Sequence, residues 1–357
     1  MSEMVRINGH KNAVLRGITF AGLIVCFAAS NFLWAAGTTA SNFLKIPAGA
    51  RASGLGEAFT ALADDASSIY WNPAGLSSVR SKEFTVSHNI WFQNITHSYV
   101  AFAMPLDMDT FPEPFAKNTL GFSITYLGMD DIERRTSNTL DPEGNFGASD
   151  LAVSLAFSRN MVKLYGRPLS VGATLKFIRQ KIDSYTADAV AADLGVIYPF
   201  SMGSLPFRFG MTVQNFGTPV KFLDESYPLP LTFKTGVSFM PLAAYHLPLG
   251  LSLDVAFPND SDAYWSLGTE YSAGQLLSLR VGYASRNDMN KDILMGTSFS
   301  KIDSNMSIFT GFMAGVGFNI PLSRGYSAVK NRMSLDYAFV PYGELGETHR
   351  ISLGVKW

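Results

Sequence analysis

The chain has 357 residues, a formal net charge of −1 at pH 7, 16% charged residues and 13% aromatic residues. Soluble domains typically carry roughly 25% charged residues, so the composition is low in charge and, with 31 glycines and 27 phenylalanines, suits a surface that faces lipid. The nearly neutral charge provides no basic surface for nucleic acid, so we expect no nucleic-acid partner.

Cysteine and histidine usage argues against a metal site. Cys26 is the only cysteine, which excludes a disulfide within the chain and a cysteine-based metal site. None of the five histidines forms the i, i+4 pair of a helical zinc site: His10, His88, His97, His246 and His349. We therefore expect no metal and no cofactor.

Residues 1–37 have the three parts of a secretory signal peptide. An apolar stretch at 17–34 follows a positive region, and the small residues 35–37 offer a cleavage site. The basic residues are Arg6, Lys11 and Arg16. A transmembrane anchor is the alternative, since about 20 apolar residues can span a bilayer; the small residues and the lack of a stop-transfer pattern favour the signal. The rest of the chain has no apolar run approaching this length, so it could span a membrane only as a closed barrel.

Residues 38–81 do not alternate and are rich in small side chains, which permit close backbone packing. The run Glu57–Ala63 permits a short helix, and Asn72-Pro73-Ala74-Gly75 predicts a turn. Asp64-Asp65 could bind a cation or a ligand, but adjacent carboxylates more often cap a helix or pair with a basic residue such as Arg51. A segment of this length must pack somewhere, and the lumen of the predicted barrel is the obvious place.

From residue 82 to residue 357 the sequence alternates with period two. Leu151, Val153, Leu155 and Phe157 alternate with small residues, and the last strand alternates in the same way. The apolar residues of that closing strand are Ile351, Leu353, Val355 and Trp357. A soluble sandwich also alternates, but here the polar face combines small residues with isolated charges, as in a barrel lumen. These predicted lumen charges are Lys176, Asp193, Arg208, Lys234, Asp254, Glu270, Arg280, Asp336 and Lys356. They either hold the interior together or serve a ligand.

The alternation predicts an all-β fold, a fourteen-stranded antiparallel transmembrane β-barrel. The strands are expected at 82–92, 97–105, 118–128, 149–160, 168–180, 188–199, 206–215, 231–240, 249–257, 263–272, 276–285, 305–319, 330–340 and 348–357. A weaker candidate, 291–300, is assigned to a loop because bacterial barrels have even strand numbers, which brings both chain ends to the periplasmic side. The expected outer connections are 129–148, 216–230 and 286–304. The expected periplasmic turns are 106–117, 161–167, 200–205, 241–248 and 320–329.

The two ends of the mature chain carry a family resemblance. IPAGARASGLGEAFTALADDASSIYWNPAGL (46–76) and LDYAFVPYGELGETHRISLGVKW (335–357) resemble the PorV/PorQ family, within the wider group of FadL-type outer-membrane barrels. The resemblance implies a fourteen-stranded barrel with a short N-terminal hatch, or plug, in the lumen. It suggests the following ligand- or partner-contacting residues: Arg51, Gly54, Gly56, Asp64, Asp65, Asn72, Pro73 and Gly75.

The resemblance leaves three functions open for a protein of the bacterial outer membrane. The first is binding of exported proteins or a translocon in type IX-like secretion and surface attachment. The alternative is a FadL-like passive channel for hydrophobic, fatty-acid-like compounds, and the third is a structural barrel. The expected partners are therefore membrane lipid, together with exported proteins or a secretion translocon, or with hydrophobic small molecules. We expect no enzyme: His97 and Ser98 are neighbours on a strand and point to opposite faces, and no G-x-S-x-G motif is present.

Overall fold

The computed structural model describes most of the region predicted to follow the signal peptide. The described residues are 39–91, 95–106, 118–135, 141–164, 166–203, 205–242, 245, 247–285, 311–322, 331–342 and 346–357. The predicted signal peptide, the predicted connection 286–304 and the strand candidate 291–300 lie outside them. Among the described helices, none has the length and apolar character needed to cross a membrane.

In the described part of the chain, fourteen strands close into an antiparallel barrel. They are β1 (Glu83–Ile90), β2 (Thr96–Leu106), β3 (Asn118–Arg134), β4 (Gly144–Leu164), β5 (Arg167–Ile182), β6 (Tyr185–Met202), β7 (Leu205–Gly217), β10 (Thr232–Phe239), β11 (Leu249–Pro258), β12 (Tyr264–Ala273), β13 (Leu277–Ala284), β14 (Phe312–Pro321), β15 (Arg332–Pro341) and β16 (Glu347–Lys356). The strands β8 (Val220–Phe222) and β9 (Glu225–Tyr227) form a separate hairpin between β7 and β10. The prediction of a closed fourteen-stranded antiparallel barrel is confirmed.

The last strand closes the wall against the first. The β1–β16 ladder runs from the Glu83–Lys356 pair to the Ile90–His349 pair. Because neighbouring strands are antiparallel, every strand end falls at one of two ends of the barrel. We call the end at which β1 begins and β16 ends the terminal end, and the opposite one the loop end.

The wall is taller along β3–β7 than elsewhere, and here several predicted boundaries were wrong. The predicted connection 129–148 is largely strand, because β3 continues to Arg134 and β4 begins at Gly144. Likewise the predicted turn 161–167 shrinks, since β4 ends at Leu164 and β5 begins at Arg167. Backbone hydrogen bonds between strands do not require apolar side chains where a strand projects into water. The strands therefore stay paired beyond the point at which the alternation of apolar and polar residues ends.

The outer surface of the wall is apolar in its middle. Leu155 and Leu175 are each 63% exposed and Leu194 is 61% exposed. Aromatic side chains flank this belt at both ends. Phe200, Phe207 and Phe239 stack in sequence at the terminal end, with ring centroids 5.3 and 5.0 Å apart. At the loop end Trp265, Tyr283 and Phe312 follow one another at 5.2 and 5.0 Å. An apolar belt between two aromatic bands is typical of a barrel wall that faces lipid.

Residues 39–79, here called the inner segment, pack against the inner face of the wall. The segment contains the helices α1 (Ala50–Gly54) and α2 (Ser68–Trp71) and the 3₁₀ turns Asn42–Lys45 and Pro73–Ser78. Helix α1 contacts β13 to β16, whereas the turn Pro73–Ser78 contacts β3 to β6 on the other side of the barrel. The segment therefore lies in the lumen; its role as a hatch stays a prediction.

The helix-permitting run Glu57–Ala63 does not form a helix. Glu57 has a positive φ of 69°, which is incompatible with a right-handed helix, and the chain turns at this point.

Candidate functional site: the inner segment and two cavities

Glycines of the wall form the seat of the inner segment. A Cβ atom placed on Gly195 would overlap Asn72 Oδ1, and one on Gly172 would overlap the backbone of Pro73. A Cβ on Gly210 would lie 2.5 Å from the carbonyl oxygen of Thr60. The backbones of segment and wall therefore approach each other more closely than any side chain in these strands would allow.

The glycines that the sequence singled out in the inner segment contribute to the same packing. Gly56 has a φ of +63°, and a Cβ there would lie 2.5 Å from the backbone nitrogen of Tyr283. A Cβ on Gly54 would lie 3.0 Å from the Cα of Gly315, and one on Gly75 would lie 2.5 Å from the carbonyl oxygen of Ala63. Two of these glycines thus touch the wall, and the third lets the segment fold onto itself.

The turn predicted at Asn72–Gly75 is present as a 3₁₀ turn that begins with Pro73. Asn72 is fully buried and caps the turn, since its Oδ1 accepts a hydrogen bond from the backbone of Ala74 at 3.2 Å. Its Nδ2 donates to the carbonyl oxygen of Thr60 at 2.8 Å and to those of Val196 and Met211 in the wall, each at 3.3 Å. This side chain fixes the local turn and also attaches it to β6 and β7.

Arg51 is at the centre of an ionic cluster near the terminal end. Its Nη1 lies 2.5 Å from Asp64 and 3.1 Å from Asp65, and its Nε lies 3.1 Å from Glu270 of β12. Burial by itself would lower the pKa of Arg51, but the surrounding carboxylates outweigh it and hold the pKa above its usual range. Burial would raise the pKa of Asp65, yet the charges of Arg51 and Lys356 outweigh it and lower that pKa.

The wall continues this cluster through neighbouring strands. Arg280 Nε lies 2.9 Å from Glu270, and its Nη1 lies 2.6 Å from Asp336. Lys356 Nζ lies 2.8 Å from Glu83, whose other carboxylate oxygen accepts a hydrogen bond from the backbone of Ala66 at 3.1 Å. These charges border a polar cavity of about 290 Å³ at the terminal end. The arrangement pairs the charges with each other and leaves the cavity polar.

The other predicted lumen charges also face inward, and they contact the wall or the inner segment. Lys176 Nζ lies 2.7 Å from Asp193 and donates to Asn215 Oδ1 at 2.7 Å. Arg208 donates to the carbonyl oxygens of Leu62 and Ala63 at 3.2 and 3.1 Å. These contacts stabilise the bulged β6–β7 ladder and the loop of the inner segment that precedes Asp64.

Lys234 and Asp254 contact the middle of the inner segment. Asp254 Oδ2 accepts a hydrogen bond from the backbone of Thr60 at 2.7 Å. Lys234 is 8% exposed, and its ammonium group lies 5.0 Å from the ring centroid of Trp71. A cation over an indole ring is attracted by the ring quadrupole. Lys234 also lines the second cavity, at the loop end.

The cavity at the loop end is about 580 Å³ and is bordered mainly by apolar and aromatic side chains. These are Phe43, Leu44, Ile46, Pro47, Tyr70, Trp91, Ile95, Leu127, Tyr264 and Tyr342. Its polar border includes Lys45, whose Nζ lies 2.7 Å from Asp260, and Lys234. Of the residues that line this cavity, sequence reasoning singled out only Lys234. The only local signal is the group of apolar residues on either side of Lys45 at 43–47, because the remaining lining residues come from distant strands and loops.

Trp71 and Arg350 contact the inner segment at Ala48 and Pro47, and sequence reasoning assigned neither of them to the site. Trp71 Nε1 donates to the carbonyl oxygen of Ala48 at 2.9 Å. Arg350 is fully buried and donates from Nη1 to Ser53 Oγ at 2.7 Å and to the carbonyl oxygen of Pro47 at 3.3 Å. Arg350 is one of the residues that alternate with the apolar residues of the last strand. This alternation is the one sequence signal that could have identified it as a residue of the lumen.

The remaining predicted residues lie away from both the cavities and the cluster, or at their edge. Ile351, Leu353 and Trp357 of the closing strand are exposed on the outer surface, and Val355 borders the terminal-end cavity. His97 is buried, whereas Ser98 Oγ contacts the exposed His88 at 3.0 Å. His97 and Ser98 therefore face opposite sides of the wall, as predicted.

A closed fourteen-stranded antiparallel barrel with an apolar outer belt and an occupied lumen defines the class of this protein as an outer-membrane-type β-barrel. The chain belongs to the family described as "Uncharacterised protein family (UPF0164)", which matches residues 32–357. A UPF0164 protein of Treponema pallidum (strain Nichols) is 28% identical to it over an alignment of 234 residues, with 61% of this chain and 67% of that protein covered.

Two solved structures of transporters are similar to the barrel. The toluene transporter TbuX of Ralstonia pickettii has a TM-score of 0.54 at 12% identity, covering 86% of this chain and 96% of its own. The toluene transporter TodX of Pseudomonas putida has a TM-score of 0.49 at 10% identity, covering 85% and 96%. The likeness to TbuX shows the fold alone.

Proposed function

We propose that the protein is a barrel of the bacterial outer membrane that binds hydrophobic small molecules in its loop-end cavity. The cavity itself is the observation that carries the proposal. It is concave and large enough for a ligand of some size, and about half of the residues that line it are apolar or aromatic while the rest are polar. The fold shared with TbuX, whose name describes a toluene transporter, supports this reading over one that involves no ligand.

The orientation follows from the even number of strands. Both ends of the wall emerge at the terminal end, which in single-chain outer-membrane barrels is the periplasmic side. The loop end then faces the outside of the cell, where a ligand arrives. The proposal includes export by a cleaved signal peptide at 1–37 and contact of the apolar belt with membrane lipid.

The lining indicates the chemistry of the ligand. Aromatic and aliphatic side chains favour a hydrocarbon body, since burial of apolar area contributes roughly 25 cal/mol per Å². Four charged residues border the cavity. Lys45 pairs with Asp260, Asp150 accepts a hydrogen bond from Gln180, and Lys234 presents a buried ammonium group, which favours an opposite charge. The cavity therefore suits an amphiphile with an apolar chain or ring and an acidic head group, as in a fatty acid.

Binding of a fluorescent fatty acid to the refolded protein in detergent tests the proposal. Leu127→Asp places a negative charge in the cavity wall, and we expect it to weaken binding about tenfold, since burying a carboxylate costs free energy and the carboxylate repels the acidic head group. Leu223→Asp is the matched control, because Leu223 is 72% exposed on the β8–β9 hairpin. Equal affinity of the wild type and both variants, or no saturable binding at all, would contradict the proposal.

The second candidate function is binding of exported proteins or a secretion translocon, as the resemblance to the PorV/PorQ family suggests. One observation favours it: the β3–β4 hairpin continues past the apolar belt and presents exposed charges at the loop end. These include Asp130, Asp131, Glu133 and Arg135. Pull-down of the tagged protein from outer membranes, with and without residues 129–147, tests it. Recovery of the same proteins with both forms, or of none, would count against this candidate.

A further inference from the structure

The inner segment is attached to the wall along its whole length. On one side Ala50 donates from its backbone to Ser352 Oγ at 2.7 Å. On the other side Ser77 Oγ donates to Ser170 Oγ at 2.8 Å. Between them Gln214 Nε2 donates to the carbonyl oxygens of Tyr70 and Trp71 at 2.5 and 3.1 Å. These wall residues belong to β16, β5 and β7, so the attachments are distributed around the barrel.

The shape of the seat restricts movement as strongly as the hydrogen bonds do. A Cβ on Gly282 would overlap the backbone of Gly56, and one on Gly268 would lie 2.6 Å from the carbonyl oxygen of Leu55. Together with Gly172, Gly195 and Gly210, these glycines hold the segment on opposite sides of the barrel. A displacement of the segment would separate all these contacts together and leave buried polar groups unpaired, which is costly for each group.

The two cavities lie on opposite sides of this seated segment. The segment borders the loop-end cavity with residues 41–47 and with Tyr70, and it borders the terminal-end cavity with residues 49–52 and 64–67. Ala48 lies between them, is buried, and accepts the hydrogen bond of Trp71. No residue lines both cavities within the described chain.

We infer that the inner segment is a fixed part of the barrel core and not a movable hatch, so that the loop-end cavity fills and empties only from the loop end. The protein then holds its ligand at the cell surface and provides no axial route to the periplasm. The identity of the ligand rests on the proposed function, whereas the fixed seating of the segment rests on the contacts alone.

A disulfide between segment and wall tests the inference. The pair Ser77→Cys and Ser170→Cys is suited to this test. The two hydroxyl oxygens are 2.8 Å apart, so cysteine sulfur atoms in the same positions would be close to each other. A disulfide also requires the two Cβ atoms to lie about 4 Å apart. Cys26, the only native cysteine, lies in the predicted signal peptide and can be omitted from the refolded chain. Association and release of the fluorescent fatty acid are then measured with the double variant oxidised and reduced. Ion current through planar bilayers is recorded for the same two forms.

We expect the disulfide to form readily in the folded protein, the exchange rates of the two forms to agree within twofold, and the ion current to stay at the baseline in both. Failure of the disulfide to form in a barrel that is folded by circular dichroism would overturn the inference. So would an exchange at least tenfold faster in the reduced form, or a current that appears only on reduction. The single variants Ser77→Cys and Ser170→Cys control for the substitutions themselves.

The route is tested separately by a bulky maleimide on Ser261→Cys, at the loop-end cavity. We expect the label to slow release of the fatty acid by at least tenfold; unchanged release would overturn the inference. If no form of the protein binds the fatty acid, the proposed function fails, and the bilayer recordings and the disulfide still decide whether the segment is fixed.

Discussion

The carboxamide of Asn72 occupies the space that a side chain at Gly195 would need. The Oδ1 atom of Asn72 lies where the Cβ would be, and Pro73 Cδ would be 3.0 Å from it. Asn72 belongs to the inner segment and Gly195 to β6, so a single missing methyl group allows the turn to dock on the wall. The packing of the inner segment against the wall can therefore be tested by substitution of Gly195.

Gly195→Ala is expected to destabilise the barrel by about 2 kcal/mol, because overpacking of a close contact typically costs 1–3 kcal/mol. Gly250→Ala is the control, since the nearest atom to a Cβ there is the carbonyl oxygen of Glu270 at 3.8 Å. Denaturant unfolding in detergent, followed by tryptophan fluorescence, measures both. An equal effect of the two substitutions would show that the contact at Asn72 does not hold the segment.

Replacement of Arg51 tests the ionic cluster. Arg51→Gln leaves three carboxylates without their common cation, and we expect a loss of about 2 kcal/mol. This loss of stability is smaller than the loss expected for a fully buried ion pair, because 23% of the side chain of Arg51 remains exposed to solvent. Arg179→Gln, which breaks the exposed ion pair with Asp188, serves as the control and should leave the unfolding midpoint unchanged. A wild-type midpoint for Arg51→Gln would contradict the assigned role.

The pH dependence of stability should contain a contribution from Asp65. Its pKa is lower in the folded protein than in the unfolded chain, where Asp titrates near pH 3.9. The stabilisation is therefore fully present above about pH 4 and is lost as the pH falls through the lowered folded pKa. Asp65→Asn should be less stable than the wild type from pH 5 to pH 7, and the two should converge in stronger acid.

Unfolding curves recorded between pH 2 and pH 7 measure this difference. Asp224→Asn, in the exposed turn between β8 and β9, is the control and should follow the wild type at every pH. A constant difference between Asp65→Asn and the wild type over the whole range would mean that the ionised form of Asp65 is not the stabilising one.

Lys234 should decide the preference of the loop-end cavity for acidic amphiphiles. Lys234→Met keeps an unbranched side chain over Trp71 and removes the charge. We expect about a tenfold weaker affinity for a long-chain carboxylate, equivalent to 1.4 kcal/mol, and unchanged affinity for the corresponding alcohol. Competition with the fluorescent fatty acid measures both ligands. An equal loss for both would assign Lys234 to the packing of the cavity instead.

Local patterns in the sequence predicted much of the fold but only part of the candidate site. Alternation alone located the wall, and the pairing of Arg51 with Asp64 and Asp65 could be proposed because the three residues are close in the chain. Glu270 completes that cluster from β12 and could not be associated with Arg51, since a residue pair more than 200 positions apart leaves no periodic signal. The strand ends around Arg134 and Gly144 were missed because hydrogen bonding between backbones does not depend on an apolar pattern.

The sequence by itself determined that side chains alternate between an apolar and a polar face, and hence that the wall must close on itself. It also determined that the stretch before the wall is rich in small side chains, which permit close backbone packing. Only the tertiary structure decided which wall glycines receive that stretch, where the two cavities lie, and that Trp71 and Arg350 bind the inner segment at Ala48 and Pro47. The reason is physical: periodicity is a property of neighbouring residues, whereas a cavity is bounded by atoms that become neighbours only when the barrel closes.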